Sequence, residues 1–174
     1  MELFEAIVRR ASYRGVFAPR PIPREHLEKI VQAGIQAPSA KNEQTTSFVI
    51  VDEPRILAEI ATMLDRPVCG TALAMIACVI DPRPSFPGLS FAVEDCAAAV
   101  ENMLLAIADL GYATVWLDGV LRRDQIAGRI ARLLGVPPDK HVRVLLPVGV
   151  PAEPVQQKEK LPFAQRAWFN RYGE

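Results

Sequence analysis

Cysteine, histidine, net charge and long apolar runs are all scarce in this chain, and each scarcity excludes something. Among 174 residues there are three cysteines and two histidines. Cys69, Cys78 and Cys96 are odd in number, widely spaced and without a C-x-x-C pair or a nearby histidine. That excludes a disulfide framework and a zinc cluster, so no metal site is expected and the thiols read as small buried hydrophobes. Twenty Lys and Arg balance twenty Asp and Glu, which leaves no broad positive field for a polyanion and argues against nucleic acid as a partner. The longest apolar run, Thr71 to Ile80, is half the roughly 20 residues a spanning helix needs, so no membrane association is expected. The start, Met-Glu-Leu-Phe-Glu-Ala, lacks the basic opening and cleavage site of an export signal, and a cytoplasmic location follows as an expectation. Nowhere does the chain read G-x-G-x-x-G, so a separate dinucleotide fold is unsupported.

What is present is apolar and periodic. Half the residues are hydrophobic and 23% are charged, a balance that suits one globular domain over 1–174 that buries about 70% of its unfolded surface. Leu3, Phe4, Ile7 and Val8 predict an amphipathic helix over 2–10, followed by an extended stretch from Ala11 to Phe17. A second helix opens at Pro23 and is stopped by Pro38. Strands are predicted over Ser47–Val51, Ala72–Ile80, Ala113–Leu117 and Val142–Val150, with helices from Pro54 and over Arg122–Leu134. Between the second strand and the third lies a long helix, Phe91 to Leu110, too apolar to have a wide solvated face, with Gly111 as its stop. The segment 152–174 carries Phe163, Trp168, Phe169 and Tyr172, too aromatic for a free tail, and is expected to embrace a second copy of the chain.

Four segments have side chains suited to binding a ligand. Arg10, Ser12 and Arg14 alternate along extended backbone and can project to one side, two guanidiniums and a hydroxyl suited to a phosphate or a polarised carbonyl. Ala37-Pro38-Ser39-Ala40-Lys41-Asn42-Glu43-Gln44 offers hydroxyl and amide groups on a loop. Gly111 to Gly119, GYATVWLDG, ends a strand in Asp-Gly, where backbone N–H groups are free and a flat ligand can approach closely. Lys158 and Lys160 follow the last strand at alternate positions. Taken singly, each segment also reads as something ordinary: a turn, a solvated stretch or, for Gly111 to Gly119, a core strand with a buried Trp116.

Their order and spacing resemble the FMN-dependent nitroreductase family. That family has R-x-S-x-R after its first helix, A-P-S-x-x-N-x-Q before its first strand, G-x-x-x-x-W-x-x-G after its long helix, and G-x-P followed by K-x-R or K-x-K. Here these are Arg10/Ser12/Arg14, Ala37/Pro38/Ser39/Asn42/Gln44, Gly111/Trp116/Gly119, and Gly149/Pro151 with Lys158/Lys160. The resemblance implies an α+β fold with a central, mostly antiparallel sheet flanked by helices, in an intertwined homodimer. It implies FMN as cofactor, with the phosphate on Arg10, Ser12, Lys158 and Lys160, and Arg14 at the N1 and C2 carbonyl edge. Pro38, Ser39, Asn42 and Gln44 would border the ring, Pro38 and Ser39 from the partner subunit, and Asp118, Gly119 and Val120 would offer backbone groups near N5. The implied activity is hydride transfer from NADH or NADPH, by a ping-pong scheme, to a small electron-poor acceptor such as a nitroaromatic or a quinone. Alternatives are a flavin-binding module without turnover, and an FMN enzyme of flavin-fragmenting or dehalogenating type. The chain departs from the family at Thr45 and Thr46, where Pro and Trp are usual. It departs again at Asp81–Ser90, which stands where fuller-length members carry a longer lid, and Trp168 and Phe169 are candidates to complete it.

Overall fold

In the computed structural model, which describes residues 2–173, the long apolar segments of the sequence sit at the centre. All seven residues of β2 (Ala74–Ile80) are buried, and β4 (His141–Gly149) is buried beyond Arg143. These two strands pair antiparallel, with β1 (Thr46–Val51) on the far side of β2 and β3 (Ala113–Thr114) on the far side of β4, giving the order β1-β2-β4-β3. Every one of these strand pairs is antiparallel.

Because side chains alternate along a strand, the two central strands feed two separate cores. Met75, Ala77, Val79, Val142 and Leu145 pack with α3 (Pro54–Leu64), α4 (Pro67–Gly70) and α6 (Ile126–Leu133). Ala74, Ile76, Cys78, Val144, Leu146 and Val148 pack with α2 (Arg24–Ile35) and α5 (Ala92–Asp109). Helix α1 (Leu3–Arg9) lies against α5. The expected α+β architecture is therefore present, as a sheet with helices on both faces.

Helix α5 is as solvent-poor as its composition predicts. Buried residues recur at 92, 95, 96, 99, 100, 103, 104 and 107, the helical three-and-four spacing. Only Val93, Glu94 and Asp109 are exposed. Gly111, with φ +80, takes the left-handed conformation that ends the helix.

Three expected elements are shorter than predicted. The second strand starts at Ala74 rather than Ala72. The third holds ladder pairing only at Ala113 and Thr114, and Leu117 returns for a lone bridge to Leu145. Helix α6 starts at Ile126 rather than Arg122, because Asp124 and Gln125 adopt left-handed φ of 48 and 56 and the Arg122 side chain turns back to Asp118. The tail bears one short 3-10 turn, Phe163–Gln165. Val155, near its start, packs on the core, but Leu161, Phe163, Phe169 and Tyr172 further along are all exposed.

Candidate functional site

The cationic limb begins where α1 ends. Residues 11–17 run beside β3: the Tyr13 amide donates to the Thr114 carbonyl at 2.8 Å, and Ser12 forms a parallel bridge with Thr114. Ala11, Tyr13 and Phe17 turn into the core while Ser12 and Arg14 stay exposed, the alternation the sequence predicts. Arg10 is half-buried, its Nε 3.6 Å from a Glu101 carboxylate oxygen on α5. That Nε is buried and has no hydrogen-bond partner among the described residues, a costly condition for a guanidinium.

The last segment joins the same place. The Gln157 amide donates to the Arg10 carbonyl, and the Ala152 amide to that of Val16 at 3.2 Å. Lys158 and Lys160 follow directly after Gln157, both exposed and neither in an ion pair with a described residue. A cleft of ≈ 430 Å³ opens here, lined by Arg10, Leu104, Gly111, Tyr112, Thr114 and Gln157. Of the expected phosphate group only Arg10 lines it; Ser12, Lys158 and Lys160 are exposed outside it, as is Arg14, expected at the ring edge.

The second limb is a strained loop. After Ser39 comes a 3-10 turn, Ala40–Asn42, in which Lys41 and Asn42 have left-handed φ of 50 and 57, and Gln44 follows at 50. Non-glycine residues in that region cost energy and persist only where neighbours hold them. Here Asp95, buried in the first turn of α5, accepts from the Ala40 amide at 2.9 Å and from the Thr45 hydroxyl at 2.7 Å. Within the loop the Gln44 amide donates to the Ser39 hydroxyl at 3.0 Å, and the Asn42 amide to the Ser39 carbonyl at 2.9 Å. Pro38, Ser39, Gln44, Thr46, Phe48 and Asp95 line a cleft of ≈ 380 Å³, with Asn42 exposed outside it. Thr46, where the resembled family has a large aromatic, leaves its hydroxyl buried and unpartnered.

The third limb is the turn Asp118-Gly119-Val120, closed by the Leu121 amide on the Asp118 carbonyl at 2.9 Å. The Asp118 carboxylate accepts two hydrogen bonds from Arg122, at 2.8 and 2.9 Å, and one from Arg143. Burial pushes this carboxyl up, but the Arg122 hydrogen bond and the Arg143 charge outweigh it and hold it below the usual aspartate range. Arg143 reaches Asp118 because it is the extra residue of a bulge: Cys78 pairs with Val144 and Val79 with Val142.

The expected residues thus fall into three limbs, and a single chain does not converge them on one cleft. The cationic cleft meets α5 at Leu104 and Ile107, the loop cleft at Asp95 and Ala99. Arg143, Asp95, Glu101 and Arg83 were not among the expected residues. Two of them did carry a signal: an arginine inside the apolar run of β4, and the second acid of the Glu94-Asp95 pair that interrupts the apolar opening of α5. All three cysteines are free and buried, as expected, and burial pushes the Cys69 thiol up to about 11. Among the described residues no three His, Cys, Asp or Glu side chains are placed to hold a metal, and no helix is long and apolar enough to cross a membrane.

Comparison with known proteins gives concordant matches. A family model described as the nitroreductase family matches residues 7–67 and 72–150. A protein of Archaeoglobus fulgidus with the provisional name NADH dehydrogenase/NAD(P)H nitroreductase is 35% identical over 154 residues, 87% of each chain. A crystal structure from Bacteroides thetaiotaomicron with the same provisional name superposes with a TM-score of 0.86, at 25% identity, covering 98% of both chains. The NADPH:FMN oxidoreductase of Vibrio harveyi, solved with NAD+, has a TM-score of 0.84 at 27% identity, covering 99% of this chain and 78% of that one.

Proposed function

The chain belongs to the nitroreductase family, and from that premise we propose that it is an FMN-dependent oxidoreductase oxidising NADH or NADPH and reducing a small electron-poor acceptor, nitroaromatics and quinones among them. The observation that carries this reading is the unsatisfied Nε of Arg10, buried at the wall of a ≈ 430 Å³ cleft where the first and last ligand-bearing segments meet. A phosphate oxygen there would supply the missing acceptor through a charge-assisted hydrogen bond. The residues present therefore fit the phosphate end of FMN, and the Vibrio harveyi relative carries FMN in its name.

When bound, FMN accepts and donates the hydride, and the protein binds, orients and tunes it. Arg10, Ser12, Lys158 and Lys160 hold the phosphate, and Arg14 stabilises negative charge at the N1 and C2 carbonyl edge. The turn at Asp118, Gly119 and Val120 presents backbone groups to the ring edge. Pro38, Ser39, Asn42 and Gln44 border the ring, Pro38 and Ser39 reaching in from the second copy in a homodimer, a reading supported by the cleft that Pro38, Ser39 and Gln44 line on the other half of α5. Exposed Phe4, Val8, Phe163, Phe169 and Tyr172 support the same dimer, since apolar surface of this extent marks an interface.

Titration of FMN into the purified protein, followed by flavin fluorescence quenching, tests the assignment. Wild type is expected to bind, and Arg10→Ala to raise Kd at least about tenfold, the loss of one charge-assisted contact. An Arg10→Ala Kd within twofold of wild type removes Arg10 from the phosphate site.

A further inference from the structure

Resting on that reading, we propose that Arg83 is a positioning residue: it straps the short 81–90 loop onto the strained 40–44 loop and so fixes how Ser39, Asn42 and Gln44 are presented to the flavin. One Arg83 nitrogen, Nη2, donates to the Glu43 carbonyl at 2.8 Å and stands 3.6 Å from the Glu43 carboxylate. Its other terminal nitrogen donates to Asp81 at 3.0 Å, and the Arg83 amide donates to the same carboxylate at 3.1 Å. Asp81 in turn gives its amide to the Thr45 carbonyl at 2.9 Å. A second strap lies alongside, the Lys41 ammonium 3.8 Å from the centre of the Phe86 ring, a cation–π contact.

Arg83 grips at the place where support is needed. Glu43 is flanked by Asn42 and Gln44, both with left-handed φ, so its carbonyl is the middle of the strained arc. Asp95 holds the two ends of that arc, at Ala40 and Thr45, from the α5 side. Arg83 holds the centre from the opposite loop, and a lysine could replace only part of its forked grip. The half-exposed side chain is not a core element, so its removal is expected to loosen the arc without unfolding the protein.

The test compares wild type, Arg83→Ala and Arg83→Lys in the full-length chain. In the FMN-free protein, hydrogen exchange at the Asn42 and Gln44 amides is expected to speed up at least about tenfold in Arg83→Ala, with an unchanged melting temperature. In the same variant FMN Kd is expected to rise about three- to tenfold and the reduction potential of bound FMN to shift, with Arg83→Lys lying between. Faster exchange with unchanged Kd and potential overturns the inference, because the loop would then be loosened without consequence for the flavin. Unchanged exchange overturns it as well. Failure of wild type itself to bind FMN overturns the functional reading and this inference together, and shows before any substitution is compared.

Discussion

At the scale of single residues, the informative positions are those where a polar group sits in apolar surroundings. Asp118 is gripped by Arg122 and Arg143, and its carboxyl is held low by them against the opposing effect of burial. A lowered folded-state value means the stability it contributes is present above the unfolded value of ~4 and is lost as pH falls through the folded one. Asp118→Asn is therefore expected to lose about 1–2 kcal/mol at pH 7, the cost of leaving Arg143 unpaired. The difference from wild type should shrink as pH falls from 7 through the carboxyl's folded-state value, in urea titrations at a series of pH values. A deficit independent of pH would assign the loss to shape rather than charge. The sequence announced Asp118 as the end of a strand but not its partners, because a bulge reaims Arg143 and a bulge depends on the register of two strands. Asp95 was hidden for a similar reason: its partners, Ala40 and Thr45, lie fifty or more residues away. Arg10, Ser12 and Arg14 were legible because their alternation is local.

At the scale of elements, segments with strong periodicity were read correctly and those with weak local rules were not. Helix α5 and strands β2 and β4 carry enough apolar residues that burial alone decides them. The start of α6 and the extent of β3 depended on left-handed backbone at Asp124 and Gln125 and on a sheet edge that breaks after Thr114, neither of which composition marks. The joint between the first ligand-bearing segment and the sheet is Phe17 against Gly149. A Cβ added at Gly149 would overlap the Phe17 ring, which is buried and also donates its amide to the Thr71 hydroxyl at 2.9 Å. Gly149→Ala is thus expected to cost about 1–3 kcal/mol, as overpacking in a tight core does. The measurement is the chemical denaturation midpoint; an unchanged midpoint would show that the 11–17 segment can shift freely along β4. The same substitution should weaken FMN binding if that segment carries the phosphate site.

At the scale of the whole molecule, the chain presents two separate clefts. Its cationic limb and its 38–48 loop open at different ends of α5, and the aromatic tail leaves Phe169 and Tyr172 almost bare, at 81% and 89% exposure. The homodimer proposed above would bring a second copy's loop to this chain's cationic limb. The fold class was readable from the chain because four loose motifs in a fixed order constrain more than any one of them. Which cleft each motif enters was not readable, since that depends on where α5 places its two ends. The absence of a G-x-G-x-x-G motif fits the proposed single site visited in turn by the nicotinamide and the acceptor.

The central claim is that this protein carries a flavin that a reduced nicotinamide can reduce. Its most direct test is the visible spectrum of the FMN-loaded protein under anaerobic conditions, before and after addition of NADH or NADPH. The account predicts a flavin spectrum that bleaches with one of the two and returns when a quinone or nitroaromatic is added. A bound flavin that neither reductant bleaches would contradict it.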